Sequence, residues 1–127
     1  MLKLNAWGSE HQIALSIEHY AENGNLAIQM WSFDEGYPEP WSILTVNLSR
    51  KCKPNCAFID TNNNGEHIIE WLEANNLGMD TGVIQISGFC AYPMFEFNME
   101  EVEKHLLVKV KEVIYDGKVI WRADDNE

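Results

Sequence analysis

Three cysteines, four histidines and several paired acids are the residues of this chain that could do chemistry. Cys90 lies in Gly88-Phe89-Cys90-Ala91-Tyr92. A nucleophilic thiol needs a base to take its proton, and His11, His19, His67 and His105 are the histidines available. None stands in a catalytic signature around Cys90, and a small buried thiol is the commoner use of such a cysteine. Cys52-Lys53-Pro54-Asn55-Cys56 has zinc-knuckle spacing. Two ligands do not hold structural zinc, however, and Cys90 and His67 complete a set of four only by assumption. A plain surface loop is the simpler reading, with Lys51 and Lys53 placed to lower the pKa of either thiol. Glu100-Glu101 and Asp124-Asp125 are neighbours in sequence, and adjacent helix carboxylates do not face each other. The eight glycines are scattered, so no phosphate-cradling loop exists. No catalytic residue, metal ligand or cofactor is assigned.

Binding is the better-supported chemistry. Five Trp and four Tyr in 127 residues supply aromatic surface. Tyr37 and Trp41, in and beside the loop Asp34–Pro40, are the expected exposed anchors, because Tyr and Trp are enriched at interface hot spots. A second candidate is the bend from Gly88 to Pro93, where a bulge would aim Phe89, Cys90 or Tyr92 at a ligand. A third is a carboxylate face made of Glu66, Glu70 and Glu73.

The charge narrows the partners. Nine Lys and Arg against twenty Asp and Glu leave a formal net charge of −11. Affinity for nucleic acid or an anionic membrane comes largely from Lys and Arg, so neither is an expected partner. A protein partner, basic or itself nucleic-acid-binding, fits better. Residues 57–98 carry six acids and no Lys or Arg, whereas 49–56 form a small basic knot of Arg50, Lys51 and Lys53. An odd cysteine count argues against a disulfide framework. Met1-Leu2-Lys3-Leu4 leads into polar residues rather than a signal-peptide core, and no apolar run approaches the ~20 residues of a membrane span. A cytoplasmic protein is expected.

The elements that must position these residues are mostly strands. Leu2 to Trp7 alternates and is turned by Gly8-Ser9; Gln12 to Tyr20 alternates most cleanly, with Ile13, Leu15 and Ile17 inward. Asn23-Gly24 is a hairpin signal, and Leu26 to Phe33 returns. On these registers Trp7, Trp31 and Trp41 lie opposite the aliphatic face. Trp41 to Leu48 resumes strand character, and Cys56 to Asp60 makes a short strand. Asn63 with Glu66 has capping-box spacing for a helix of about eleven residues, as judged from turn periodicity, with Ile68, Ile69 and Leu72 on its apolar face. Asn76 or Gly78 ends it in the left-handed conformation.

Thr81 to Phe97 reads as two strands, or one bent strand, hinged near Gly88 to Pro93. Asn98 and Glu101 then cap a second helix from Met99 to about Leu107, with Phe97 and Val102 as a hydrophobic staple. Val108 to Tyr115, Asp116-Gly117 and Lys118 to Ala123 read as a terminal hairpin, and 124–127 as an acidic tail. The expected fold is a single α+β domain over 1–123: a mainly antiparallel twisted sheet with a meander opening, two short helices packed on it and a C-terminal β-hairpin.

LKLNAW, LAIQMW, PWSILTVNL, FIDTNNNGE and LGMDTG followed by SGFCAYPMFEF give the chain a further handle. Over residues 1–107 it resembles a bacterial domain-of-unknown-function family of small acidic proteins, carried on conjugative elements and phages of gut bacteria. The hairpin at 108–123 looks like an extension many members lack. The resemblance implies a mobile-element context and brings no catalytic residues. The expectation is a non-enzymatic binding or accessory protein. Its sharper form is an acidic inhibitor of a nucleic-acid-binding host protein, with carboxylates standing where phosphates would. The alternative is a small enzyme or ligand-binding domain that uses the Gly88–Pro93 bend.

Overall fold

The computed structural model describes residues 1–115 and 117–122. The acidic tail expected at 124–127, and Asp116 and Ala123 of the expected hairpin, lie outside the described residues. Four strands, β1 (Leu2–Ala6), β2 (Ser9–His19), β3 (Leu26–Ser32) and β4 (Glu39–Ile43), pair in chain order as an antiparallel meander. The meander is the one expected from the alternation. Leu2, Leu4, Ile13, Leu15, Leu26, Ile28 and Met30 share its buried face. The first turn falls one residue earlier than expected. Ala6 pairs with Ser9, which leaves Trp7 and Gly8, both at positive φ, as the two-residue turn.

The expected single strand from Trp41 to Leu48 is divided between two sheets. Leu44 is the crossover: its N–H donates to the Ile28 carbonyl, and its own carbonyl accepts from Asp60 N–H. Beyond it, β5 (Thr45–Val46) joins β6 (Cys56–Ile59), β7 (Gly78–Ser87) and β8 (Cys90–Phe97) in a second antiparallel sheet of order β5-β6-β8-β7. A crossover placed at a fully buried Leu satisfies both backbone groups in the interior, where an unpaired one would be costly.

Short helices close the space between the sheets. The chain makes one turn, α1 (Thr61–Asn64), and then α2 (Ile68–Ala74) in place of one eleven-residue helix. Asp60, not Asn63, is the cap, accepting from Asn63 N–H. The end of α2 is as expected, with Asn76 at φ 60. Leu77 N–H reaches the Leu72 carbonyl and Asn76 N–H the Glu73 carbonyl, the Schellman pattern, with Leu72 and Leu77 both buried. The second helix, α3 (Met99–Glu103), is shorter than expected and is followed by a 3-10 turn at Leu107–Lys109. Asn98 caps it by accepting from Glu101 N–H. Glu101 does not complete a capping box, because its carboxylate turns forward to Lys104 and His105 and Asn98 N–H goes to the Leu77 carbonyl.

Both faces of the second sheet are used. Ala57, Ile59, Phe95 and Phe97 join the main core with Ile68, Leu72 and Val102. On the opposite face Leu48, Cys52, Cys56, Phe58 and Met94 form a second cluster beneath the 48–56 loop. The basic knot is therefore the lid of a small core rather than a plain surface loop. The C-terminal hairpin, β9 (Glu112–Tyr115) and β10 (Lys118–Arg122), is a separate two-stranded sheet. It joins the body by packing: Val113 is buried against Ala14 and Phe33, on the face of the meander opposite the main core.

Candidate functional site

Two surfaces of this fold hold candidate functional side chains. The first is built by the Trp7-Gly8 turn. Ser9 and His11 stand two apart on β2 and so share a face. The His11 Nε2 lies 3.1 Å from Ser9 Oγ and 3.1 Å from the Ala6 carbonyl oxygen, and His11 Nδ1 lies 2.8 Å from Asp34 Oδ2. Only 11% of the His11 side chain is exposed. Its ring packs on Trp41 at 4.6 Å between centroids, and Trp7, 88% exposed, leans on Trp41 at 5.2 Å. A hydroxyl, an imidazole and a carboxylate are thus aligned beside an indole open to solvent.

Trp41 does not lie opposite the aliphatic face. The pairing of β3 with β4 slips between Met30 and Trp31, so Pro40 and Ser42 pair across while Trp41 is the extra residue of a β-bulge. The bulge reverses its side and places it against the main core and His11. Trp31 does lie on the outer face, donating from Nε1 to Ser16 Oγ. Tyr37 is 54% exposed in the loop before β4.

The second surface is the β7–β8 hairpin. Gly88 and Phe89 form its turn, and Pro93 lies within β8 opposite Ile84. The bulge falls not at Gly88 to Pro93 but on β7, between Asp80 and Ile84. The last pair of β8 with β6 is Phe58 with Met94, so Pro93 sits where β8 has outrun its neighbour and its missing N–H breaks no ladder bond there. The distal half of the hairpin therefore projects beyond the sheet. Ile84 and Ile86, which share a face, are 62% and 74% exposed, and Phe89 at the tip is fully exposed. On the other face Cys90 and Tyr92 are half-buried neighbours, and the hydrogen bond with the Cys90 thiol, with smaller contributions from burial and nearby charge, raises the Tyr92 pKa.

One carboxylate of the expected face, that of Glu73, reaches the base of this hairpin, and Glu66 lies in the turn before α2 rather than on it. Glu66, Glu70 and Glu73 are exposed. Glu73 Oε2 accepts from Asp80 N–H at 3.2 Å, which ties the acidic side of α2 to the edge strand β7. Four clefts of about 710, 680, 340 and 290 Å³ are lined by other segments than Gly88 to Pro93.

Cys52 and Cys56 are 8% and 3% exposed. Burial pushes both thiols up, helped by Cys56 at Cys52 and by Glu96 at Cys56, and outweighs the downward pull of Arg50 on Cys52 and Lys53 on Cys56. The expected lowering by Lys51 and Lys53 is thus overturned: a desolvated thiol resists ionising more than an adjacent cation favours it. No group of three or more His, Cys, Asp or Glu suited to a metal ion occurs among the described residues.

Fold and sites together define an antiparallel α+β domain with an exposed aromatic-imidazole corner and a projecting apolar hairpin. A family model described as a domain of unknown function, DUF4313, matches residues 14–117, and the chain belongs to that family. The matched span starts after Ser9 and His11 and runs past 107 through β9, so the whole of the terminal hairpin's first strand lies within the family's domain. No curated protein and no solved structure matches the chain. Among the described residues, no helix is long and apolar enough to cross a membrane.

Proposed function

We propose that this domain binds a basic protein, docking it through the β7–β8 hairpin and the acidic side of α2. The observation that supports the reading is the exposure of Phe89, Ile84 and Ile86 on one projecting hairpin, in a chain of net charge −11. Three large apolar side chains left in water contribute nothing to the core, and exposed apolar surface beside carboxylates is an interface pattern. Glu73 and Asp80 stand at the hairpin base, with Glu70 on the adjoining helix and Glu66 in the turn before it.

The finer form is an inhibitor of a nucleic-acid-binding protein of the host cell, acting in the cytoplasm from a mobile element. Glu66, Glu70 and Glu73 then engage the Lys and Arg that otherwise bind phosphates, and Phe89 fills an apolar recess beside them. The test is enrichment from host lysate on wild-type protein, on Phe89→Ala with Ile86→Ser, and on a Glu66, Glu70 and Glu73 charge reversal. One basic protein captured by the wild type, lost on both variants and displaced by duplex DNA, is the expected result. A partner retained by both variants rules the surface out. A partner lost on both but indifferent to DNA leaves the docking surface and removes the inhibitor form.

A further inference from the structure

We propose that Ser9, His11 and Asp34 form a nucleophilic triad that hydrolyses carboxylic esters. The proposal is independent of the docking surface, which lies on other elements. The side-chain contacts of such a unit are in place. With Asp34 accepting from Nδ1–H at 2.8 Å, Nε2 is the nitrogen left to take a proton, and it lies 3.1 Å from both the Ser9 hydroxyl and the Ala6 carbonyl oxygen. The Ala6 carbonyl, 3.1 Å from the same nitrogen, becomes an acceptor for Nε2–H once the proton has moved, and so steadies the imidazolium. The base is packed under Trp41 and little exposed, whereas Ser9 is exposed at the start of β2, as a nucleophile must be.

Substrate space and selectivity follow from the surroundings. A cleft of about 710 Å³, within the usual range for small-molecule sites, is lined by Ser9, His11, Phe33, Asp34 and Ile120. Glu10 and Glu35 also line it and repel anions, so the substrate is an uncharged or cationic ester. The N–H groups of Trp7 and Gly8 donate to no backbone acceptor in the turn and loop bonds of the described residues. They precede Ser9 by two residues and one, and the proposal assigns them the developing oxyanion.

In the first half-reaction Ser9 Oγ bonds to the ester carbonyl carbon and its proton passes to His11 Nε2, while the carbonyl π pair moves onto oxygen. The tetrahedral intermediate then re-forms the carbonyl and expels the alkoxide, which takes the proton from Nε2 and leaves as alcohol. The acyl group is now on Ser9. Water attacks it, His11 takes the water's proton and returns it to Ser9 Oγ, and the carboxylic acid departs.

The experiment is reaction of the purified protein with a fluorophosphonate probe, mapped by peptide mass, together with turnover of p-nitrophenyl acetate. The expected result is a single adduct on Ser9, formed about 100-fold more slowly in His11→Gln and at least about 10-fold more slowly in Asp34→Asn. Turnover is expected to vanish in Ser9→Ala, whose exposed site tolerates the change. Thermal melts establish that each variant is folded, and Ser9→Ala alone decides the matter should the His11 and Asp34 variants melt early. No Ser9 adduct on folded wild type, equal labelling in folded His11→Gln, or unchanged turnover in Ser9→Ala each overturns the proposal. A His11 that merely ties the turn to the 34–36 loop gives the first of those results.

Discussion

Asn25 is 6% exposed, and its whole side-chain amide is engaged. Its Nδ2 donates to the Arg50 carbonyl at 2.9 Å, and its Oδ1 accepts from Cys52 N–H at 2.9 Å. With Asn23, whose Nδ2 reaches Asn47 Oδ1 and the Leu48 carbonyl, it holds the 47–52 segment over the second cluster. Asn25→Ala leaves a buried donor and acceptor unpaired and is expected to cost about 2–4 kcal/mol in urea unfolding, since each orphaned group costs ~1–3 kcal/mol. Glu101 offers a pH test. Hydrogen bonds from His105 and then Lys104 hold its carboxyl below its ordinary value of 4.5. A folded pKa below the unfolded one stabilises the fold at pH above 4.5 and loses that effect as pH falls through the lowered value. The melting-temperature gap between wild type and Glu101→Gln should therefore be widest near neutral pH and close on acidification; a gap that stays constant below pH 4 would count against the carboxylate's role.

At the scale of elements, the join of α2 to β7 is the tightest requirement. Asn76 turns the chain in the left-handed region, and two residues later Gly78, at φ 151, pairs with Phe97. A Cβ at Gly78 would overlap the Glu96 carbonyl oxygen and crowd the Phe95 ring, both parts of the buried ladder. Backbone cannot step aside as a flexible side chain can. Gly78→Ala is expected to cost at least about 2 kcal/mol, read from denaturant midpoints, with the slope unchanged. The same element order explains the exposure of the projecting hairpin. β8 has ten-residue β7 beside it but only the four-residue β6 on its other edge, so the far halves of β7 and β8 cannot bury both faces.

For the whole molecule, charge is the dominant property. Among the described residues, the ion pairs of Lys104 with Glu101 and of Arg122 with Glu112 are exposed, and such pairs contribute little. Twenty acids against nine Lys and Arg leave a net repulsion. Raising NaCl from about 10 mM to 150 mM shortens the Debye length from ~30 Å to ~8 Å and should raise the melting temperature by screening this repulsion. A melting temperature that falls with salt would mean that paired charges outweigh the repulsion.

The sequence alone determined the meander, a left-handed helix end at Asn76 or Gly78, the terminal hairpin and the acidic character, because each depends on local information. Alternation at Ile13, Leu15 and Ile17, or a turn-forming Asn-Gly, acts within a few residues and survives any tertiary arrangement. Tertiary structure decided the rest. Whether Cys52 and Cys56 are wet or buried depends on Asn25, more than twenty residues away. The side on which Trp41 emerges depends on a slip in cross-strand register. Ser9 and His11 share a strand face by period two, which is legible, but Asp34 reaches His11 only once β2 and β3 have paired. Contacts between distant segments form after loop closure has fixed which faces meet, and single-chain periodicity carries no record of that choice.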